Sequence, residues 1–186
     1  MKRLLLLGVV VLFISTVSFA QGGLIGLYID PWGDDCDIED CKVEIINVYV
    51  VHKFAPSPSA CQFMIVSSDG FTGAYLGEET PLMNGCMFGN SQRGISIAYG
   101  ECASTPVHIL TLRYYLYGTS KPNSYLQVVG DPTNVTPGIY IVDCTTPPTL
   151  IPAIGGRAYI NGDGTVSCST TPVEPTSWGR IKSLYK

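Results

Sequence analysis

The densest group of side chains that could do chemistry is an acidic stretch of eleven residues, 30–40. Its carboxylates are Asp30, Asp34, Asp35, Asp37, Glu39 and Asp40. Hard cations such as calcium bind several carboxylate and carbonyl oxygens on irregular loops, and a cation would relieve the repulsion among these charges. The ligands of such a calcium site would be Asp30, Asp34, Asp35 and Asp37. The spacing matches no defined calcium motif, so a solvated loop is the favoured interpretation and calcium binding is the alternative.

Seven cysteines form the second group. An odd number leaves at least one thiol free or paired with another chain. Pairing neighbours in sequence predicts three disulfides, namely Cys36–Cys41, Cys86–Cys102 and Cys144–Cys168. Cys61 is left over, and it alternates in phase with Phe63 and Ile65, so we interpret it as a buried small hydrophobic residue. Other pairings stay open, because six cysteines permit about 15 connectivities.

A row of aromatic and polar residues is the best binding hypothesis. Arg113, Tyr115 and Tyr117 alternate at a period of two and therefore share one face of a strand. Tyr49 would lie near them if its own strand were a neighbour. Tyrosines beside a polar group suit sugar rings, through stacking and hydrogen bonds, so these four residues are predicted to bind a ligand. The alternative, which strand composition favours, is that the tyrosines only pack across strands.

Catalytic chemistry is not indicated. The chain has only two histidines, and His108 falls in phase with Leu110 and Leu112 on an apolar strand face, where a structural role is expected. The sequence has no HExxH motif, no phosphate-binding loop and no dinucleotide fingerprint. A pair of carboxylates, as in a glycan-active hydrolase, depends on distance in space and stays open as an alternative. The candidates for such a pair are Glu78, Glu79, Asp143 and Asp163.

Short strands separated by turns must position these residues. The longest strand signal is VHILTLRYYLYG, residues 107–118. Further strands are predicted at residues 23–29, 43–52, 61–67, 72–76, 94–99, 124–129, 138–143, 158–160 and 165–168. Strand 43–52 is apolar on both faces, which predicts a central, covered position. With no helical periodicity between Gln21 and Thr171, the pattern predicts an all-β fold, a single antiparallel β-sandwich of immunoglobulin-like or jelly-roll type.

Both ends of the chain carry separate signals. A basic start, an apolar run and the site Ser18-Phe19-Ala20 predict a signal peptide over residues 1–20. The sandwich is predicted over 21–171, followed by a linker and a short amphipathic helix over 172–186. The apolar face of that helix would consist of Trp178, Ile181, Leu184 and Tyr185. Such a tail is predicted either to dock on its own acidic sandwich or to be recognised by an export, anchoring or assembly partner.

The charge balance excludes two classes of partner. Without the two basic residues of the signal peptide, nine basic residues face fifteen acidic ones, a net charge of −6. Nucleic acids and anionic membranes need lysine- and arginine-rich surfaces, so neither is predicted to bind. No apolar run after residue 20 is long enough for a transmembrane anchor. We therefore expect a secreted protein, located in the periplasm, at the cell surface or outside the cell.

One phrase of the sequence resembles a known family. Val48-Tyr49-Val50-Val51 leading to Cys61-Gln62-Phe63-Met64-Ile65 resembles the start of cohesin-type and carbohydrate-binding-type bacterial sandwiches, over the first half of the mature chain. Residues 176–185 resemble a tail of exported proteins from little-studied bacteria. Together with the export signal, these features predict an exported, non-catalytic binding or structural module. A carbohydrate-binding module and a protein-interaction or surface-assembly module both stay open, with a glycan or a protein as partner.

Overall fold

Thirteen β-strands and no helix make up residues 22–163, the part of the chain that the computed structural model describes. In chain order they are β1 (Leu24–Tyr28), β2 (Asp37–Ile38), β3 (Val43–Lys53), β4 (Pro58–Ser67), β5 (Ala74–Glu79), β6 (Cys86–Asn90), β7 (Gly94–Ala98), β8 (Val107–Tyr117), β9 (Ser124–Val129), β10 (Tyr140–Asp143), β11 (Leu150–Pro152), β12 (Ile154–Gly155) and β13 (Arg157–Ile160). The all-β prediction is confirmed for this part of the chain. The predicted signal peptide, the strand at 165–168 and the tail helix lie outside the described residues.

The strands form two sheets. The first sheet has the order β12-β1-β3-β8-β5, and the second has the order β11-β10-β4-β9-β13-β2. β7 pairs with the first half of β4 on the edge opposite β10, and β6 pairs with β7. The predicted antiparallel sandwich is in fact mixed, because β12 runs parallel to β1 and β13 runs parallel to β2. Both parallel pairs involve the last described segment, which pairs with the first sheet as β12 and then with the second sheet as β13.

Two glycines let that segment pass from one sheet to the other. A Cβ on Gly155 would collide with the carbonyl oxygen of Val128, and a Cβ on Gly156 would lie 3.0 Å from Cα of Gly26. The backbone of Gly156 hydrogen-bonds to both sheets. It donates to the carbonyl of Ile25 at 2.8 Å and accepts from the N–H of Val128 at 3.0 Å. Larger residues at these two positions would push the sheets apart.

The core fills the space between the sheets with inward-facing residues from alternate positions. In β4 these are Cys61, Phe63 and Ile65, with exposures of 3%, 0% and 2%. Cys61 has a free thiol, so its predicted role as a buried hydrophobic residue is confirmed.

Strand β3 has the predicted central position, between β1 and β8, but only its second half is covered on both faces. Val48, Val50 and Val51 are all fully buried, whereas Val43 and Ile45 are 60% and 62% exposed. The prediction of two-sided burial is therefore wrong for the first half of β3. There, within residues 22–163, the apolar side chains of the outer face remain in contact with solvent.

A β-bulge in β8 changes the predicted faces of the longest strand. His108 and Leu110 pair with consecutive residues of β3, which leaves Ile109 without a partner. Ile109 and Leu110 are both fully buried, and His108 lies on the outer face with its ring 5.1 Å from that of Tyr49. The prediction that His108 lies on the apolar face is wrong, because a bulge interrupts the alternation on which it depended.

One disulfide joins Cys102 to Cys144. Strands β7 and β10 both run antiparallel to β4, so their carboxyl ends meet at the same end of the sheet, where these two cysteines follow. The predicted pairs Cys86–Cys102 and Cys144–Cys168 are wrong, and Cys86 has a free, exposed thiol. Proximity in sequence did not predict the pairing, because the order of the strands in the sheet decides which cysteines lie together.

The predicted bridge within the acidic loop is also wrong. Cys36 is disulfide-bonded and buried, but Cys41 has a free, exposed thiol. The extended strand β2 lies between the two cysteines and pairs with β13. An extended segment of this kind keeps their Cα atoms apart, and a disulfide needs them within about 7 Å.

Candidate functional site

The predicted ligand-binding residues lie together on the outer face of the first sheet. Strands β3 and β8 are neighbours, as the prediction required. In β8, Arg113, Tyr115 and Tyr117 lie opposite Asn47, Ile45 and Val43 of β3. Tyr49 lies on the same face, opposite Thr111. The structure thus brings the four residues to one surface, and their binding of a ligand stays a prediction.

One end of this surface is an exposed apolar strip, formed by Val43, Ile45, Tyr115 and Tyr117 and here called the tyrosine strip. The rings of Tyr115 and Tyr117 have centroids 5.2 Å apart and planes at 76°. Rings that meet edge to face do not provide the flat platform on which a sugar ring stacks. Charged groups border the strip, with the exposed Arg113 on one side and the ion pair between Lys42 and Glu44 at its end.

The outer face of the second sheet has a different composition. Strands β6, β7, β4, β10 and β11 lie side by side, and their register aligns the outward side chains in two rows. One row consists of Cys86, Ala98, Ala60, Val142 and Leu150. The other consists of Phe88, Ser96, Gln62, Tyr140 and Pro152. None of these ten residues is charged, although residues 22–163 contain fourteen acidic and six basic residues. We call this surface the uncharged face.

The uncharged face is supported by residues that point from the same five strands towards the core. Between its two outward rows lies an inward row, formed by Met87, Ile97, Cys61, Ile141 and Ile151. Ile97 and Ile141 are fully buried, so the strands are held firmly on the core. The side chains beside Gln62 in the two outward rows, Ala60, Ala98 and Ser96, are small. Phe88 and Leu150 stand at its two margins, with exposures of 67% and 47%.

Gln62 is the polar side chain at the centre of this face, and its amide is held by a neighbouring loop. Its Nε2 donates to the carbonyl of Thr136 at 2.8 Å, and its Oε1 accepts from Nδ2 of Asn134 at 3.2 Å. Val135, between these two loop residues, is 99% exposed. The loop therefore lies against the row that contains Gln62, and its exposed Val135 adds a further apolar side chain there.

Backbone hydrogen bonds organise the acidic loop. The carboxylate of Asp30 accepts at 2.8 to 2.9 Å from the N–H groups of Trp32, Gly33, Asp34 and Asp35. Burial alone would raise the pKa of Asp30, but these four donors outweigh it and lower the pKa. Among residues 22–163, no three His, Cys, Asp or Glu side chains lie where they could hold a metal ion together. Calcium binding by Asp30, Asp34, Asp35 and Asp37 stays a prediction.

A groove of about 560 Å³ lies between the acidic loop and β3. Its carboxylates are Asp35, Asp37, Glu39 and Glu44, and its apolar side chains include Ile29 and Ile46. Asp37 already accepts the N–H of Gly162 at 3.0 Å. The lining suits a cationic group with an apolar stem.

A buried chain of hydrogen bonds connects three side chains that the sequence analysis did not bring together. Nε2 of His52 donates to the carbonyl of Gly22 at 2.8 Å, so Nδ1 accepts from the hydroxyl of Tyr99 at 2.9 Å. Tyr99 also hydrogen-bonds to Cys61. Burial raises the pKa of the Cys61 thiol to about 12, so the thiol stays protonated and is not a nucleophile. The spacing of these residues in sequence carries no signal of their contact.

Two of the carboxylates considered for a hydrolase, Glu78 and Asp143, have local structural partners. Glu78 accepts the N–H of Ser91 at 3.0 Å, which links β5 to the turn between β6 and β7. Asp143 accepts the N–H of Thr149 at 2.8 Å and the hydroxyl of Thr145 at 2.7 Å, and these bonds lower its pKa. Glu78 and Glu79 are consecutive in β5 and therefore point to opposite faces. Their arrangement gives no support to a hydrolase.

Comparison with known proteins supports a fold and not a sequence family. No protein-family model and no curated protein matches the sequence. The cohesin module of the Clostridium perfringens ATCC13124 family 33 glycoside hydrolase is similar, with a TM-score of 0.52, 5% identity, and coverage of 76% of this chain and 99% of that one. The third ScaB cohesin of R. flavefaciens, solved in complex with a group 1 dockerin, has a TM-score of 0.51, 13% identity, and coverage of 78% and 97%. The predicted resemblance to cohesin-type sandwiches is confirmed for the fold.

Proposed function

We propose that this chain is an exported, non-catalytic protein-interaction module that docks a protein partner on the uncharged face. The observation that carries the proposal is the pair of outward rows, ten residues without a charge on a strongly acidic protein. The cores of protein interfaces are depleted of charged residues in the same way. Docking a face of this kind leaves no buried charge without a partner.

The width of the uncharged face and its exposed apolar side chains suit a folded protein as the partner. Five neighbouring strands span about 19 Å at a spacing of about 4.8 Å. The small side chains of Ala60 and Ala98 permit close approach, and the exposed Phe88 and Leu150 offer two large side chains that can enter pockets of the partner. Large apolar side chains that are desolvated in this way usually provide most of the binding energy.

The support beneath the face favours tight binding. The buried inward residues Ile97, Cys61 and Ile141 anchor the three central strands to the core. The Cys102–Cys144 disulfide ties the end of β7 to the end of β10. A rigid surface loses little conformational freedom when it docks. The disulfide also fits a secreted protein, because such bonds persist in oxidising compartments.

The comparisons agree with this class of function without identifying a partner. The R. flavefaciens cohesin of similar fold was solved with a dockerin bound to it. At 13% identity, the shared fold is an analogy for the kind of activity and does not transfer the ligand. The partner of this chain is therefore defined by chemistry, as a protein with an apolar, weakly charged docking surface.

Carbohydrate binding is the second candidate, on Tyr49, Arg113, Tyr115 and Tyr117. It is favoured by the exposure of Tyr117, 47%, beside the polar Arg113 on the outer face of the first sheet. The edge-to-face packing of Tyr115 and Tyr117 counts against it.

The variant Ala60→Arg tests the proposal, because Ala60 lies at the centre of the uncharged face and points away from the core. Proteins from the secreted fraction of the source organism would be captured on the folded wild type, identified, and titrated against each variant. We expect Ala60→Arg to weaken binding about 100-fold, since it buries an unpaired charge.

Tyr115→Arg is the matched control, with the same charge introduced on the other outer face. Equal binding by the wild type and Ala60→Arg would contradict docking on the uncharged face. A glycan array read with the wild type and Tyr117→Ala tests the second candidate. Binding of a sugar that Tyr117→Ala abolishes would establish carbohydrate binding in its place.

A further inference from the structure

Strand β6 has one free edge. Among the described residues it pairs only with β7, so the N–H and C=O groups along its other side have no strand beside them. A row of unpaired backbone groups is a template for pairing with another strand.

The other edges of the two sheets are protected. β12 and β2 contain only two residues each, and Pro152 leaves β11 without one backbone N–H. In β5, a register shift at Leu76 interrupts the strand, and Glu78 and Glu79 put charges at its end. Short length, proline, irregularity and charge are the features by which natural sheets avoid edge-to-edge pairing.

The edge of β6 has neither charge nor proline. The uncharged sequence around it extends over residues 80–92, and the adjacent loop and strand expose large apolar side chains. Met83, Phe88 and Met87 are exposed by 97%, 67% and 37%. Gly89 has a φ of 83°, so the regular part of the edge covers residues 86–88. Methionine side chains adapt readily to a packing partner.

We propose that this edge pairs with the same edge of a second copy of the chain, in an antiparallel dimer whose second sheets become continuous. Charge favours this arrangement. Six basic and fourteen acidic residues give residues 22–163 a net charge of −8, so two copies repel each other over most of their surfaces. The uncharged edge is a place where they can approach. A twofold arrangement uses the same edge on both copies and leaves neither edge open.

Cys86 provides a direct probe, because it is a free, exposed thiol on this edge. Two copies paired along β6 bring their Cys86 thiols within reach of a short bismaleimide, which adds one thiol across each of its two double bonds. The full chain with Cys41→Ser, which removes the other free, exposed thiol of residues 22–163, should give a cross-linked dimer. Adding Cys86→Ser should abolish it.

Analytical ultracentrifugation across the micromolar range measures the association itself. We expect the wild type to dimerise in a concentration-dependent manner. Phe88→Glu and Met87→Glu should weaken the dimer at least about tenfold, because they place like charges on facing strands. Circular dichroism checks that both variants are folded. Tyr117→Glu is the matched control, since it adds the same charge on the other sheet.

Two results would overturn the proposal. One is a wild type that stays monomeric at all concentrations, and the other is a dimer that both folded β6 variants leave unchanged. Ala60→Arg separates this inference from docking on the uncharged face, because it should leave the dimer intact while it weakens binding of the protein partner.

Discussion

The two outer faces of the sandwich differ in their charged residues. On the first sheet, exposed Tyr117 and Ile45 lie near Arg113 and near the ion pair of Lys42 with Glu44. On the second sheet, ten aligned positions carry no charge. Charged groups hold water at a surface, whereas a surface without them loses little solvation when it is covered. Apolar exposure alone therefore does not identify a docking face, and the absence of charge is the better indicator.

Removing the disulfide should have the largest effect on the support of the uncharged face. The bridge closes a sequence separation of 42 residues, so Cys102→Ser with Cys144→Ser should lower the free energy of unfolding. The loop-entropy relation gives about 4 kcal/mol for a loop of this length. Urea denaturation measures the change, and Cys86→Ser is the control. A loss equal to that of the control would show that the disulfide is not needed to hold the face.

The inner and outer rows of the second sheet should respond differently to truncation. Ile141 is fully buried and its neighbour Val142 points outward, so the pair compares the two sides of β10. Ile141→Ala should lower the free energy of unfolding by about 3 kcal/mol, and Val142→Ala by less than about 1 kcal/mol. Chemical denaturation measures both values. Similar losses would mean that the outer row stabilises the fold and is not reserved for binding.

Acidification compares a histidine in the core with one on the first outer face. Burial lowers the pKa of both His52 and His108 from 6.5, and His52 is the more buried of the two, with 0% exposure. The unfolded chain then binds the proton more readily. Stability is fully present above pH 6.5 and is lost as the pH falls from there towards the folded-state pKa.

Urea denaturation at several pH values measures this loss. His52→Gln should remove more of the slope than His108→Gln, while Asp30 and Asp143, with lowered pKa values, act at more acidic pH. A larger effect of His108 would show that the outer face of the first sheet is less open to water than its exposure indicates.

The tyrosine strip should contribute least to stability. Tyr117 is 47% exposed, and Tyr117→Ala should change the free energy of unfolding by less than about 0.5 kcal/mol. Thermal or urea denaturation of this variant measures the value. A loss above about 1 kcal/mol would show that the strip is a packed part of the fold and not an available surface.

Regular alternation made much of the fold predictable. The strands at residues 107–117 and 124–129 were predicted closely, because both run without glycine or proline and are rich in strand-forming residues. β6 was not predicted, since glycine and methionine give it no alternating pattern and its side chains are largely exposed. The position of His108 was wrong because one unpaired residue, Ile109, shifts the phase of the strand.

The candidate site was less accessible to prediction than the fold. The shared face of the tyrosines and Arg113 was predictable because one strand carries three of them, and their binding of a ligand stays a prediction. The uncharged face combines residues from five strands, and no single stretch of sequence shows it. The disulfide was missed for the same reason, because it depends on which strands flank β4. The signal that was present is the lack of charge at alternate positions of 58–64, 94–98 and 140–142.

The parallel pairing of β1 with β12 has a mechanical consequence. The first described strand, β1, runs parallel to β12, and β13 continues the chain from β12 through Gly156. Tension applied to the two ends loads their hydrogen bonds in shear, and these bonds must break together. The crossing at Gly156 ties the same segment to both sheets, so neither sheet can be peeled away alone. A domain built in this way is expected to resist extension along its strands.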